Sequence, residues 1–272
     1  MSDPIPAIAE SDATGETAAL FADIRAVYGI STVNLVWRHL ATMPGALAHV
    51  WGGVRPLYVD GTIAREATAL RDGLWLPDVV PMSDAYLLEF ELDALAMHGV
   101  RQVLAAYDRT NAMALLALCA ARARLAGKPA PKWQPGATPP PPEPALALPR
   151  LLDLDTMSRD IRMGVDALNR VGSRKSQPLM ASMYRQLAYW PPFLSVAARL
   201  LIGPHIDGLV EQAVAAALVQ ARTRAAALPR VTGVPPLRPA TAKRVDAALA
   251  LFTGDPIVRM MVVTRMLRLG VG

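Results

Sequence analysis

One cysteine, Cys119, stands in the 272 residues. It excludes an intramolecular disulfide framework, a CxxC redox centre and a cysteine-based zinc site. Aromatics are scarce as well, at 6%. The apolar 53% is therefore mostly Ala, Leu, Val and Met, a helix-forming mixture that supplies ample core. Long hydrophobic runs are missing too. None approaches the ~20 uninterrupted apolar residues of a spanning helix; Val210 to Leu228 is broken by Glu211, Gln212, Gln220, Arg222 and Arg224. The start, Met1-Ser2-Asp3-Pro4, has neither the basic nor the apolar region of a signal peptide. These absences lead to the expectation of a cytoplasmic protein with no membrane partner.

The strong chemical motifs are absent. There is no GxGxxG, no GxxxxGK[ST], no GxSxG and no HExxH. His39, His49, His98 and His205 show no ligand spacing, so neither a metal nor a cofactor is expected. The net charge of +5 is unevenly spread. Residues 1–127 hold 14 acidic and 9 basic residues, a net of −5; residues 128–272 hold 9 and 19, a net of +10. The arginines are scattered singly, without the basic stripe and interleaved aromatics of a nucleic-acid reader, so no nucleic-acid partner is expected. Two readings of the asymmetry stay open: halves that attract each other, or a solvated surface.

Residues 128–149 contain nine prolines, including the run Pro139-Pro140-Pro141-Pro142. Such a stretch favours extended polyproline II and reads as a linker. The flanking segments, 1–127 and 150–272, resemble each other. Trp37-Arg38-His39-Leu40-Ala41-Thr42-Met43-Pro44 aligns with Tyr184-Arg185-Gln186-Leu187-Ala188-Tyr189-Trp190-Pro191 at an offset of 147. Tyr107 to Gly127 and Phe252 to Gly270 both run from an aromatic through a polar break into an apolar stretch. The pattern predicts two homologous helical repeats about a pseudo-two-fold axis. Periodicity predicts helix almost throughout, hence an all-α fold. The first-half helices are expected at Thr17–Tyr28, Asn34–Met43, Gly45–Tyr58, Ile63–Leu74 and Asp84–His98, with Gly99 as a stop. A further apolar helix follows over Val100–Ala126, interrupted at residues 107–111. In the second half they fall at Thr156–Val171, Gln177–Tyr189, Pro192–Ile202, Ile206–Leu228, Ala240–Phe252 and Pro256–Leu269.

Trp37-Arg38-x-Leu40-Ala41-Thr42-x-Pro44-Gly45 and Leu187-Ala188-x-Trp190-Pro191 resemble the group I 2-haloacid dehalogenase (DehI-type) family, within an AhpD-like all-α superfamily. Thr14-Gly15-Glu16, Asp23-Ile24-Arg25 and the apolar helix at Asn111 are similar to it as well. The resemblance implies a hydrolase in which activated water displaces halide from Cα of a 2-halocarboxylate. That chemistry needs a base within about 3 Å of the water, donors for the carboxylate, and an apolar wall that excludes solvent.

In the family an Asp base lies between a Ser and an aromatic. Here Ser182 and Tyr184 flank Met183, and a thioether cannot take a proton from water. The resemblance carries Asn111 over as the residue that positions water or carboxylate. It puts Phe252 where the family has a Tyr, Thr32 where it has a Trp, and Leu35 on the apolar wall. Thr32 is expected to enlarge the pocket. Alternatives stand beside these readings. Asn111 could cap a helix starting at Ala112, Trp37 and Tyr184 could be core, and Arg38 and Arg185 could clamp a carboxylate or pair with surface acids. Asp108 and His39 are the candidates to replace the missing base. The partner expected is thus a small carboxylic acid for an enzyme. For a non-catalytic binder it is an apolar small molecule in a larger apolar pocket. A homodimer is compatible with either.

Overall fold

The computed structural model describes residues 5–134 and 147–272, so Pro139–Pro142 and most of the linker lie outside the described residues. The fold is all-α. Its helices are α1 Gly15–Tyr28, α2 Leu35–Leu40, α3 Ala46–Val59, α4 Thr62–Asp72, α5 Asp84–Leu88, α6 Ala94–Leu125, α7 Arg159–Arg170, α8 Ser182–Leu187, α9 Pro191–Ile206, α10 Leu209–Ala227, α11 Pro239–Gly254 and α12 Pro256–Val271. Lys132 and Arg230 form an isolated bridge, which ties the start of the linker to the loop before α11.

The central element is α6, and the sequence misjudges it. Residues 89–93 break the expected Asp84–His98 helix, with Glu91 in left-handed backbone at φ 59°. Asp93 then caps a new start, its carboxylate accepting from the Ala96 amide at 2.8 Å. From there the helix runs unbroken to Leu125, through Gly99 and through residues 107–111. Gly99 is a packing residue, not a stop. A Cβ there would stand 2.3 Å from Cζ2 of Trp190. Gly99→Ala should therefore destabilise the fold by about 1–3 kcal/mol through overpacking, despite the better helix propensity of Ala. A lowered urea midpoint with shifted tryptophan fluorescence would register it; a raised midpoint would contradict the contact.

Every residue from Thr110 to Ala120 is buried, as expected of a helix enclosed on all sides. Its neighbours are α3, α4, α8, α10, α11 and α12, so helices from both ends of the chain share one continuous core. Helices α11 and α12, Pro239–Val271, together form a stretch of 33 residues long and apolar enough to cross a membrane. α9 and α10 reach that length only as a pair bent by 83°. The first stretch is not an uninterrupted apolar run, because Asp255 and Arg259 fall within it. Those two pair with each other at 3.6 Å, and 78% of the apolar window is buried against the protein's own helices.

Charge also links the halves. Arg224 donates to Glu66 at 2.9 Å, and Arg265 reaches Asp72 at 3.3 Å. Asp108, fully buried on α6, receives Arg71, Arg265 and Arg268 on one carboxylate oxygen at 3.2, 3.3 and 2.7 Å. A pair of opposite polarity, Arg122 to Asp246 at 2.8 Å, lies farther along α6.

Candidate functional site

Three chain segments are pinned around one small cavity. The first, residues 30–36, leaves α1 at Gly29, whose left-handed backbone (φ 64°) turns the chain without steric penalty. Arg109 donates to the carbonyls of Tyr28 and Gly29 at 3.3 Å. Glu10, bonded to Arg25 at 2.6 Å, accepts from the Val33 amide at 2.7 Å.

The second segment, residues 179–183, runs into α8. Asn169 accepts from the Ala181 amide at 3.1 Å and donates to the Pro178 carbonyl at 3.4 Å. The buried Arg259 guanidinium donates to the Asn169 carbonyl at 2.6 Å and the Leu179 carbonyl at 3.5 Å. The third segment emerges from the linker. Gln186 donates to the Pro149 carbonyl at 2.7 Å and Arg185 to the Leu152 carbonyl at 2.8 Å, which brings Leu148 and Leu151 to the cavity. Arg185 thus bonds a backbone carbonyl, and no ion pair joins it to an acid among the described residues.

The cavity has a free volume of about 90 Å³. Thr32, Leu35, Asn111, Ser182, Met183 and Phe252 all line it. Tyr184 does not; its ring is fully buried, and its hydroxyl has no hydrogen-bond partner among the described residues. Arg38, Tyr107 and Thr110 join the lining, as do Pro256, Ile257 and Met260 of α12. Tyr107 stands 145 positions before Phe252, so the aromatic that opens each half's last apolar stretch was the signal for it. Several lining residues stand at or near the 147-residue offset of the similar sequence segments. Leu35 and Ser182 are 147 apart, as are Val36 and Met183; Asn111 and Pro256 are 145 apart.

Asn111 lies in the middle of α6, so it is not a cap. It is 6% exposed, and its amide nitrogen is buried with no acceptor among the described residues. An orphaned buried donor costs about 1–3 kcal/mol; an acceptor placed in the cavity removes that cost. Thr110 donates its hydroxyl to the Ala106 carbonyl at 2.8 Å. Tyr107 hydrogen-bonds with Ser182; burial pushes its phenol above the usual range while Ser182 and Arg185 pull it back, so it stays neutral. Met183 is fully buried and its sulfur accepts from the Thr264 hydroxyl at 3.1 Å.

No Asp, Glu or His is among the described lining residues. Asp108 faces the three arginines, away from the cavity, and His39 is hydrogen-bonded through Nδ1 to the Pro6 carbonyl at 2.7 Å. Neither candidate base reaches the site. Leu148, Leu151 and Met180 line the same cavity as Thr32, and its 90 Å³ is far below the roughly 300–1,000 Å³ of a drug-sized site. Among the described residues no group of three or more His, Cys, Asp or Glu is placed to hold a metal.

No protein-family model matches the chain, and no curated protein sequence matches it. Solved structures do. A D-2-haloacid dehalogenase mutant in complex with D-2-CPA superposes with a TM-score of 0.75 at 16% identity, over 98% of this chain and 95% of its own. A D-2-haloacid dehalogenase in complex with L-LA gives 0.76 at 17% identity, over 99% and 98%. A further D-2-haloacid dehalogenase mutant gives 0.76 at 16% identity, over 98% and 97%. The chain shares its all-α fold with these proteins from end to end.

Proposed function

We propose that this chain is a protein of the group I 2-haloacid dehalogenase type that holds a small carboxylic acid in the cavity, without the base needed for efficient turnover. The observation that carries this reading is the buried, unpartnered amide of Asn111, which calls for an acceptor such as a carboxylate oxygen or a halogen. The cavity volume suits a two- or three-carbon acid and argues against a bulky aromatic ligand. The likeness of fold to D-2-haloacid dehalogenases supports the ligand class. The corresponding wall positions support an origin of the two halves by duplication.

Calorimetry with D- and L-2-chloropropionate tests binding, and ion chromatography of released halide tests turnover. Binding is expected with halide release at the buffer rate. Asn111→Leu should weaken binding by roughly tenfold or more, the worth of a hydrogen bond to a charged group. Absence of binding by both acids would overturn the reading. The fold likeness favours a second reading, hydrolysis by the unmodified chain, and clear halide release would install it in place of the first.

A further inference from the structure

A second cleft, of about 730 Å³, opens between the C-terminal end of α6, the last turns of α10 and the first half of α11. It shares no lining residue with the cavity at Asn111. Four cations, Arg122, Lys128, Arg222 and Lys243, line it against a single acid, Asp246, which Arg122 already occupies at 2.8 Å. No acid among the described residues forms an ion pair with the other three. Lys128, Arg222 and Lys243 are exposed to solvent.

Basic residues at a helix C-terminus commonly serve its free carbonyls. Here Arg124 does that work. It donates to the carbonyls of Ala226 and Leu228 at 2.9 and 2.7 Å, and to those of Lys128 and Pro129 at 3.2 and 3.3 Å. The four lining cations are left over from that task. Ala242 and Lys243, near the start of α11, form one side of the cleft.

We infer that this cleft binds a small molecule carrying a pyrophosphate group, its charge held by Arg222, Lys243 and Lys128. The space far exceeds a pyrophosphate ion, and its apolar side, Leu125, Ala226 and Ala242, suits an organic portion such as a nucleoside. Buried Cys119 at the floor supplies a built-in reporter. Burial pushes its thiol up to about 11, while Arg222 and Arg122 pull it down. An anion that neutralises those arginines should slow its alkylation.

The test titrates the full chain with inorganic pyrophosphate, ADP and adenosine at physiological salt, following heat and the alkylation rate of Cys119. Pyrophosphate and ADP should both bind and both slow alkylation, with ADP the tighter if the natural ligand is a nucleotide. Arg222→Glu and Lys243→Glu should each weaken binding by roughly tenfold or more. Both are surface changes that should leave the melting temperature and 2-chloropropionate binding unaltered. Adenosine binding as tightly as ADP, no binding by either phosphate, or unchanged affinity in the folded charge-reversal variants would overturn the assignment. None of these outcomes depends on the cavity at Asn111.

Discussion

Met183→Asp should raise halide release from 2-chloropropionate by about 10²–10⁴-fold, the usual worth of a positioned general base. The geometry favours the exchange. An Asp oxygen sits as many bonds from the backbone as the Met sulfur, so it can accept from the Thr264 hydroxyl that now lies 3.1 Å from that sulfur. The lost methyl leaves room for a water between the new carboxylate and the Asn111 amide. Burial raises the pKa of the carboxyl, which for a base acting near neutrality is an advantage. The change also costs stability, about 1–3 kcal/mol, because the site is fully buried. Met183→Asn separates the two effects. It should melt at a similarly lowered temperature and release no halide. A folded Met183→Asp protein that binds the acid yet releases no halide would mean that more than the base has diverged.

Asp108→Ala should lower stability by about 3–5 kcal/mol, the range for breaking a buried pair by removing one partner. Three guanidiniums from α4 and α12 converge on this carboxylate, and without it they would repel one another in a half-buried space. For a chain of this size the loss corresponds to a fall in Tm of roughly 6–20 °C, read by circular dichroism. The surface pair Arg224–Glu66 offers a contrast. Both side chains are more than a third exposed, and Glu66→Ala should cost less than about 1 kcal/mol. If the two variants melted together, Asp108 would not be the electrostatic tie between the halves.

Much of this architecture is legible in the chain because it depends on local pattern. Gly29 and Gly127 end α1 and α6 in left-handed backbone, the conformation glycine adopts most readily, and Ser83 caps α5 by accepting from the Tyr86 amide. What stayed illegible depends on partners distant in sequence. Gly99 looks like a stop until Trp190, ninety-one positions away, is seen filling the space of its missing side chain. The polar run Asp108-Arg109-Thr110-Asn111 looks like a helix break. Inside α6 it is met by Arg265 and Arg268, by the carbonyls at Tyr28 and Gly29, and by the Ala106 carbonyl, while the Asn111 amide nitrogen and the second oxygen of Asp108 have no hydrogen-bond partner among the described residues. Thr32, Leu35, Asn111, Ser182, Met183 and Phe252 are named by the family resemblance, and all six line the cavity. The place of Tyr184 was not legible, because adjacency to Met183 in sequence says little about which side of α8 faces the cavity. Cavity size was equally hidden, since Leu148 and Leu151 approach only because Gln186 and Arg185 hold their segment.

The matched wall positions of the cavity have a further consequence. In a symmetric pair of identical subunits, a cavity on the axis would show the same side chains to both faces of its guest. Here one chain supplies both walls, so the two need not match. Asn111 stands 145 positions from Pro256, Ser182 147 from Leu35, and Tyr107 145 from Phe252, and all six line the cavity. Each pairing sets a hydrogen-bonding group against a purely apolar one. A guest with a charged end and a greasy end would therefore meet unlike surroundings on its two sides and favour one orientation.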